Sequence, residues 1–319
     1  MKLNIGIVGY GNLGKAAEQI ILSNYNYNLV AIFSKRIVKS KFNTLVENYE
    51  NITLYQGKID IMLLCGSSFG ELEKQSENVT KFFDCINTFD NHKKIPELVQ
   101  KLDKIANDSG HRAIVSCGWD PGIFSVIRAM FFAVSNEPPS VFWGKGISMG
   151  HSAAIRKLDH VFDAVSFTIP NKQALKKSRL GCAFDEKYLH SRECFVVADK
   201  KYHKQLERQI KNIPNYFKNQ PTSIHFVEEN ELAKLKSKMS HKGEVISNFK
   251  TVHGSKCFMD FKLKLSSNPN FTACVMVSYI NAIINLKLEK KTGAFTCLDI
   301  PIKFLFEKDK QKQMVKNLC

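Results

Sequence analysis

The opening residues constrain this chain more than any other stretch. A short apolar run, Leu3-Asn4-Ile5-Gly6-Ile7-Val8, leads straight into Gly9-Tyr10-Gly11-Asn12-Leu13-Gly14. Leu13, Ala16, Ala17, Ile20 and Ile21 then recur at helical spacing. The order is strand, glycine turn, helix. A bare G-x-G-x-x-G carries little weight, but at such a junction each glycine has a physical reason. One makes a tight turn, one lets the backbone approach a pyrophosphate, and one allows close packing of helix on strand. The first N–H groups of the helix lack intrahelical acceptors and lie at the positive end of its dipole, which suits phosphate. Gly9, Tyr10, Gly11, Asn12, Leu13 and Gly14 are therefore expected to bind a dinucleotide.

The next strand selects the dinucleotide. An Asp or Glu about 20 residues further on would grip the ribose 2′-hydroxyl of NAD, whereas a 2′-phosphate calls for cations and small donors. Here the strand Asn28-Leu29-Val30-Ala31-Ile32-Phe33 is followed by Ser34-Lys35-Arg36, with no carboxylate. A hydroxyl beside a lysine and a guanidinium suits a dianionic phosphate. NADP is expected.

Strand and helix signals alternate through the first third of the chain. A buried strand at 59–65 ends on Cys65-Gly66, a helix follows around 71–83, and a short strand covers 85–87. A helix at about 96–106 precedes the strand 113–117. This repeat predicts an α/β fold with a Rossmann-type doubly wound parallel sheet over residues 1–118. Beyond Gly118 the pattern changes to alternating strands such as Phe261-Lys262-Leu263-Lys264-Leu265 with longer polar connections, as in a mixed α+β second domain.

At 319 residues and 44% hydrophobic content, the chain is long enough for about two domains with real cores. The apolar start is the first strand, broken by glycines, and does not read as a signal peptide. The apolar stretch 271–286 is interrupted by Thr272, Ser278, Asn281 and Asn285 and reads as a buried helix, so no membrane association is expected. The net charge of +16 is spread along the chain, without a basic arm or a nucleic-acid module, so nucleic acid is not an expected partner. Diffuse positive charge would still steer anionic ligands. The nine cysteines form no C-x-x-C pair and no metal-ligand spacing with the histidines, which points to reduced thiols, a cytoplasmic protein and no metal.

Ligands of doubly wound sheets lie outside the carboxyl ends of the strands. Two such ends carry an aspartate, in Asn87-Thr88-Phe89-Asp90-Asn91-His92 and in Cys117-Gly118-Trp119-Asp120-Pro121-Gly122. Singly, Asp120 could be a helix N-cap and Asp90 an Asx turn; as a pair they suggest a catalytic site.

These segments, together with Phe142-Trp143-Gly144, Gly150-His151-Ser152, Phe167-Thr168-Ile169-Pro170, Arg192-Glu193-Cys194-Phe195, His241-Lys242-Gly243, Asn268-Pro269-Asn270-Phe271-Thr272 and Gly293-Ala294-Phe295-Thr296, resemble the meso-diaminopimelate D-dehydrogenase family along nearly the whole chain, in order. The resemblance implies NADP-dependent, reversible oxidative deamination of meso-2,6-diaminopimelate at its D-centre, giving L-2-amino-6-oxopimelate, which cyclises to tetrahydrodipicolinate, and ammonia. Carried over by position, it implies Asp90 and Asp120 as catalytic residues, and Trp119, Trp143, Thr168, Arg192, His241 and Asn268 as substrate-binding residues, with Cys65 and Gly66 beside the cofactor. It further implies a homodimer, a substrate and dimerisation region over 119–294, and a return of the chain to the cofactor domain over about 295–319. The residue types suit a substrate with two ammonium and two carboxylate groups. The aspartates would hold the reacting amine, and Arg192, Thr168 and His241 the distal carboxylate, with Asn268 bonding the distal end. The two tryptophans would wall the aliphatic spacer. The chain departs from the family at Asn87, where Asp is frequent, at Met149 (Gln), Ala153 (Asp) and Lys35 (Arg), and at Ser240-His241-Lys242-Gly243 (Pro-His-Gly-Gly). A broader NADP-dependent D-amino-acid dehydrogenase and an NADP-sensing, nucleic-acid-binding regulator are the alternative classes.

Overall fold

The computed structural model describes residues 2–68, 70–182, 184–237 and 240–319. The chain forms two compact units, Met1–Val126 with Pro269–Cys319, and Ile127–Asn268. Among the described residues the first unit holds seven strands: β1 (Leu3–Val8), β2 (Tyr27–Ser34), β3 (Val46–Asn48), β4 (Ile61–Leu64), β5 (Asp84–Asn87), β6 (Arg112–Val115) and, near the end of the chain, β14 (Gly293–Thr296). All pair in parallel, in the order β14-β6-β5-β4-β1-β2-β3. The chain builds outward from β1 to β3, then starts again on the other side of β1 with β4. This is the doubly wound arrangement expected from the sequence.

Side chains alternate across these strands, so both faces are apolar. Ile5, Ile7, Ile32, Leu63 and Ile114 face one side, where helix α1 (Asn12–Ser23) packs Ala17 and Ile21. Phe33, Met62, Leu64, Cys85 and Val115 face the other, covered by α2 (Leu72–Thr80) and α3 (Ile95–Ser109). In α3 the pattern is legible residue by residue. Leu98, Leu102 and Ala106 recur every four residues on the buried side, Pro96 sits in the first turn, and Gly110 (φ 74°) ends the helix with its N–H on the carbonyls of Ala106 and Asn107.

Helix α4 (Ile123–Ser135) runs across the boundary at 126. The second unit contains a mixed sheet, β11-β10-β9-β8, and an antiparallel one, β13-β12-β7. Their strands are β7 (Ser140–Trp143), β8 (Gly146–Ile147), β9 (Val161–Pro170), β10 (His190–Ala198), β11 (Thr222–Phe226), β12 (His241–Lys250) and β13 (Lys256–Leu265). Helices α5 (Met149–Ile155) and α7 (His203–Lys211) cover one face of the mixed sheet, where Ile155 and Ile210 meet Ala164, Cys194 and Val196. On the other face Leu232 of α8 (Glu229–Lys236) meets Val165 and Phe167. Ala174 of α6 (Lys172–Arg179) packs with Phe142 and Ile246 of the antiparallel sheet.

Helices α9 (Asn268–Ser278) and α10 (Ile280–Leu288) belong with the first unit, burying Ala273, Met276, Ile280 and Ile283 against Ile5, Ile7 and their neighbours. The run Asn268–Leu288 has the length and composition to cross a bilayer, at 21 residues, but more than half of it is buried within the protein. The units thus divide at 126 and 269, where the sequence suggested 118 and about 295. A helix pair that is apolar on most sides needs a ready apolar surface, and the first sheet supplies it. Helix α11 (Lys308–Leu318) closes the chain.

Candidate functional site

The glycine turn after β1 shows what each glycine does. Gly9 turns the chain at φ 90° and donates its N–H to the Phe33 carbonyl of β2 at 2.8 Å. A Cβ on Gly14 would lie 2.2 Å from the Gly9 carbonyl oxygen, and one on Gly9 would lie 3.1 Å from the Cys65 carbonyl carbon, so turn, helix and the end of β4 approach at glycine distance. At Gly11, the N-cap of α1, a Cβ would meet nothing within 4 Å. The middle glycine leaves open space at the helix N-terminus, and this cradle fits a dinucleotide pyrophosphate. Asn12 and Leu13 form the first turn of α1. Tyr10 is buried beneath it.

Beyond β2, Lys35 and Arg36 are exposed, and among the described residues no carboxylate pairs with either. Ser34 closes their turn, its hydroxyl accepting the Arg36 N–H (3.1 Å) and donating to the Arg36 carbonyl (2.9 Å). Lys35 Nζ lies 5.1 Å from the centre of the Tyr49 ring. After β4, Cys65 is buried, which pushes its thiol well up and leaves its backbone as the wall of the glycine turn. At Gly66, which follows, a Cβ would lie 2.2 Å from Oε1 at the movable end of the Gln75 side chain.

The loops carrying the two aspartates are stitched together by Asn87, at the end of β5. Its Oδ1 accepts the N–H groups of Phe89 and Ser116 at 3.1 Å each, and its Nδ2 donates to Ser76 Oγ at 3.0 Å. Ser116 Oγ in turn donates to the Phe89 carbonyl at 2.7 Å. The second loop folds back on itself, with the Gly118 N–H on the Pro121 carbonyl at 2.9 Å and Gly122 (φ 138°) where a Cβ would lie 1.7 Å from the Gly118 oxygen. Trp119 is buried edge-on to Phe124, with ring centres 5.1 Å apart, and Asp120 follows it, half-buried. Asp90 keeps accessible surface, yet protein surrounds its carboxyl closely enough that desolvation raises its pKa. Ser68 and His92 oppose the rise and the charge of Asp120 adds to it.

In the second unit, Arg192 of β10 lies opposite Thr168 of β9, and Thr168 lies opposite Gly146 of β8. Arg192 is 9% exposed. Its Nη1 donates to Thr168 Oγ1 and its Nε to Gln220 Oε1 at 2.7 Å. Among the described residues no carboxylate pairs with it. Burial pushes the guanidinium down to about 10, so it remains a cation at neutral pH. Three histidines surround it. His241 packs its ring over Gly146, where a Cβ would lie 2.1 Å from His241 Cδ2, and its Nδ1 bonds the Lys242 carbonyl (2.9 Å). His190 Nε2 accepts the Trp143 N–H at 2.8 Å, its ring 4.9 Å from the Trp143 ring. His151 bonds Ser148 Oγ (2.8 Å) and the Tyr216 carbonyl (2.9 Å). A buried guanidinium held by neutral groups has the chemistry to receive an anion. His190 and Gln220 also line an open basin of about 200 Å³ with Lys187, Lys218 and Asn219.

Burial, then the charge of Arg192, pushes His151 and His190 each down to about 3, and lowers His241. In the unfolded chain His151 and His190 titrate near 6.5, so through these two rings unfolding takes up protons between about pH 6.5 and 3. Stability is therefore complete above about pH 6.5 and falls as pH drops through that window, by about 1.4 kcal/mol per pH unit for each ring. His190→Gln, which keeps an acceptor for the Trp143 N–H, is expected to flatten the acid decline of Tm; a wild-type slope in that variant would place the proton uptake elsewhere.

The structure thus gathers Asp90, Trp119 and Asp120 on adjoining loops of the first unit, and Trp143, Thr168, Arg192 and His241 in the second. Asn268 is the last residue of the second unit in sequence and opens α9. Gln220, His190, His151 and Asn87 were missed from the sequence. His190 was readable, since it alternates with Arg192, Cys194 and Val196 along the buried side of β10.

Known proteins resemble this chain in sequence and in fold. Residues 118–267 match the family model described as diaminopimelic acid dehydrogenase C-terminal domain. A meso-diaminopimelate D-dehydrogenase of Ureibacillus thermosphaericus is 40% identical over 316 residues, covering 96% of both chains. The structure of a C. glutamicum DAP dehydrogenase in complex with DAP superimposes with a TM-score of 0.94 at 34% identity, covering 100% of this chain and 99% of the other. An engineered D-amino acid dehydrogenase bound to NADP+ gives 0.93 at 33% identity, covering 100% of both.

Proposed function

The chain belongs to the meso-diaminopimelate D-dehydrogenase family, and from that premise we propose that it catalyses the reversible oxidative deamination of meso-2,6-diaminopimelate at its D-centre with NADP. The products are L-2-amino-6-oxopimelate, which cyclises to tetrahydrodipicolinate, and ammonia. The observation that carries this reading is Arg192, a buried cation whose partners among the described residues are neutral. A lone amino acid with one carboxylate at its reacting end has no use for it; a second, distal carboxylate does.

Bound NADP supplies the acceptor for the hydride that leaves the D-carbon. The residues around Gly11 would receive its pyrophosphate, and Lys35 and Arg36 its 2′-phosphate. Asp90 and Asp120 would hold the reacting ammonium, and one carboxylate would take its proton, because the nitrogen must offer a lone pair before the C–H bond can break. Water then adds to the resulting imine and ammonia leaves. Trp119 and Trp143 would flank the aliphatic spacer and keep water from the reacting carbon before that step. Arg192, Thr168 and His241 would receive the distal carboxylate: Arg192 Nη2 is left over once Thr168 and Gln220 are bonded, and the Lys242 carbonyl fixes the Nδ1 side of His241.

We further infer a homodimer, because Met130, Phe132 and Val134 expose apolar surface along α4, and sedimentation at twice the monomer mass would test it. The nine free thiols suit a reducing, cytoplasmic setting.

The first assay follows NADPH formation with meso-diaminopimelate, its LL-isomer and D-alanine, and repeats the first with NAD. Turnover restricted to the meso compound with NADP is the expected result. Comparable rates with D-alanine would replace this reading by a broad D-amino-acid dehydrogenase.

A further inference from the structure

Glu18 lies on the inner face of α1, fully buried, and makes no ion pair among the described residues. A carboxylate in that position is costly unless protein donors replace its water. Three side-chain hydroxyls do so. Tyr10 Oη donates to Glu18 Oε2, and Ser40 Oγ (2.5 Å) and Thr44 Oγ1 (2.6 Å) donate to Oε1. None of the three lies on α1. Tyr10 is in the glycine turn, while Ser40 and Thr44 belong to residues 35–45, which join β2 to β3 without helix or strand.

The same hydroxyls organise the backbone of that connection. Ser40 Oγ accepts the N–H groups of Phe42 and Thr44 at 3.0 Å each, and Tyr10 Oη accepts the N–H of Lys41 at 2.9 Å. The hydrogen bonds that shape residues 40–44 therefore lead back to the two oxygens of one buried carboxylate. The connection begins with Lys35 and Arg36, the exposed cations beside the glycine turn. We propose that Glu18 is a positioning residue for cofactor selection: it fastens residues 40–44 to the glycine turn and so holds the segment bearing Lys35 and Arg36 in the shape that receives the ribose 2′-phosphate. It does not touch the cofactor. An apolar residue in its place would leave buried hydroxyls without an acceptor and release the far end of the segment.

The inference rests on the NADP reading, and the experiment separates the two. Calorimetric titration with 2′,5′-ADP and with 5′-AMP compares fragments that differ only in the 2′-phosphate. Wild-type protein binding both equally would remove the NADP reading before Glu18 is touched. Otherwise, Glu18→Ala is expected to weaken 2′,5′-ADP by about tenfold, the scale of one lost charge-assisted hydrogen bond, with 5′-AMP held within about twofold. Glu18→Gln, which keeps one acceptor oxygen, should lose about threefold. The KM for NADP should rise in parallel while kcat with meso-diaminopimelate stays put. If Glu18→Ala fails to fold, the double variant Ser40→Ala with Thr44→Val removes the anchor and leaves Glu18 its bond from Tyr10. Equal weakening of both fragments, or unchanged 2′,5′-ADP binding in a folded variant, overturns the proposal.

Discussion

Arg192→Ala is expected to lower kcat/KM for meso-2,6-diaminopimelate by about a hundredfold to a thousandfold, the usual consequence of truncating one partner of a desolvated charge pair. NADPH affinity should be unchanged. The size follows from what surrounds the guanidinium. Thr168 and Gln220 occupy Nη1 and Nε and bring no charge, so in the proposed function the substrate carboxylate would supply the missing anion. The neighbouring histidines cannot replace the lost cation at neutral pH, because burial keeps His151 and His190 near 3. That burial is relieved only in part when Arg192 goes, so acidification to about pH 6 should not rescue the variant. Arg192→Lys should recover little, since an ammonium cannot bond Thr168, Gln220 and a carboxylate with the planar fork of a guanidinium. Thermal stability should hold or rise, because the change removes a buried charge from the free protein. Steady-state kinetics with meso-diaminopimelate and D-alanine decide the matter. A loss below about fivefold with the meso compound would sink the distal-carboxylate assignment.

The parts that local chemistry dictates were the parts readable in advance. At Gly9–Gly14 each glycine answers a steric demand that a G-x-G-x-x-G between strand and helix already implies, and the structure adds only that Gly11, not Gly9 or Gly14, is the one facing open space. The longer strands of the first sheet announced themselves by apolar runs flanked by turns, but β3 and β8, with three and two residues, are too short to carry any period. The assignment of α9 and α10 to the first unit was out of reach for a different reason. Their residues are apolar on most sides, which says that they are buried but not in which core. Asn87 looked like a departure from a family pattern, yet its amide does what an aspartate cannot: it accepts two N–H groups and donates to Ser76. Gln220 reaches Arg192 across 28 positions from the loop before β11, and no spacing rule anticipates such a pair.

Asp90→Asn and Asp120→Asn are each expected to lower kcat for deamination, the one that takes the proton by about a hundredfold to ten-thousandfold, the range for a lost general base, with NADP binding intact in both. The two variants should differ in their pH dependence, and the difference identifies the base. Desolvation of the Asp90 carboxyl raises its pKa against the pull of Ser68 and His92, and the negative charge of Asp120 adds a smaller rise. A proton acceptor must be ionised, so wild-type kcat/KM should fall as pH drops through that raised pKa, giving an acid limb above the ordinary carboxylate range. In Asp120→Asn the neighbouring charge is gone, Asp90 ionises more easily, and the acid limb of the residual activity should move to lower pH. In Asp90→Asn that limb should disappear or pass to Asp120. A profile of kcat/KM against pH for the three proteins settles the roles. If the acid limb stays in place in Asp120→Asn, the two carboxylates are not coupled in the working enzyme; if it stays in place in Asp90→Asn, Asp90 is not the group that takes the proton. The stitch at Asn87 gives that coupling a backbone frame: it ties the N–H of Phe89, next to Asp90, to that of Ser116, four residues before Asp120, so the two loops are held together before substrate arrives.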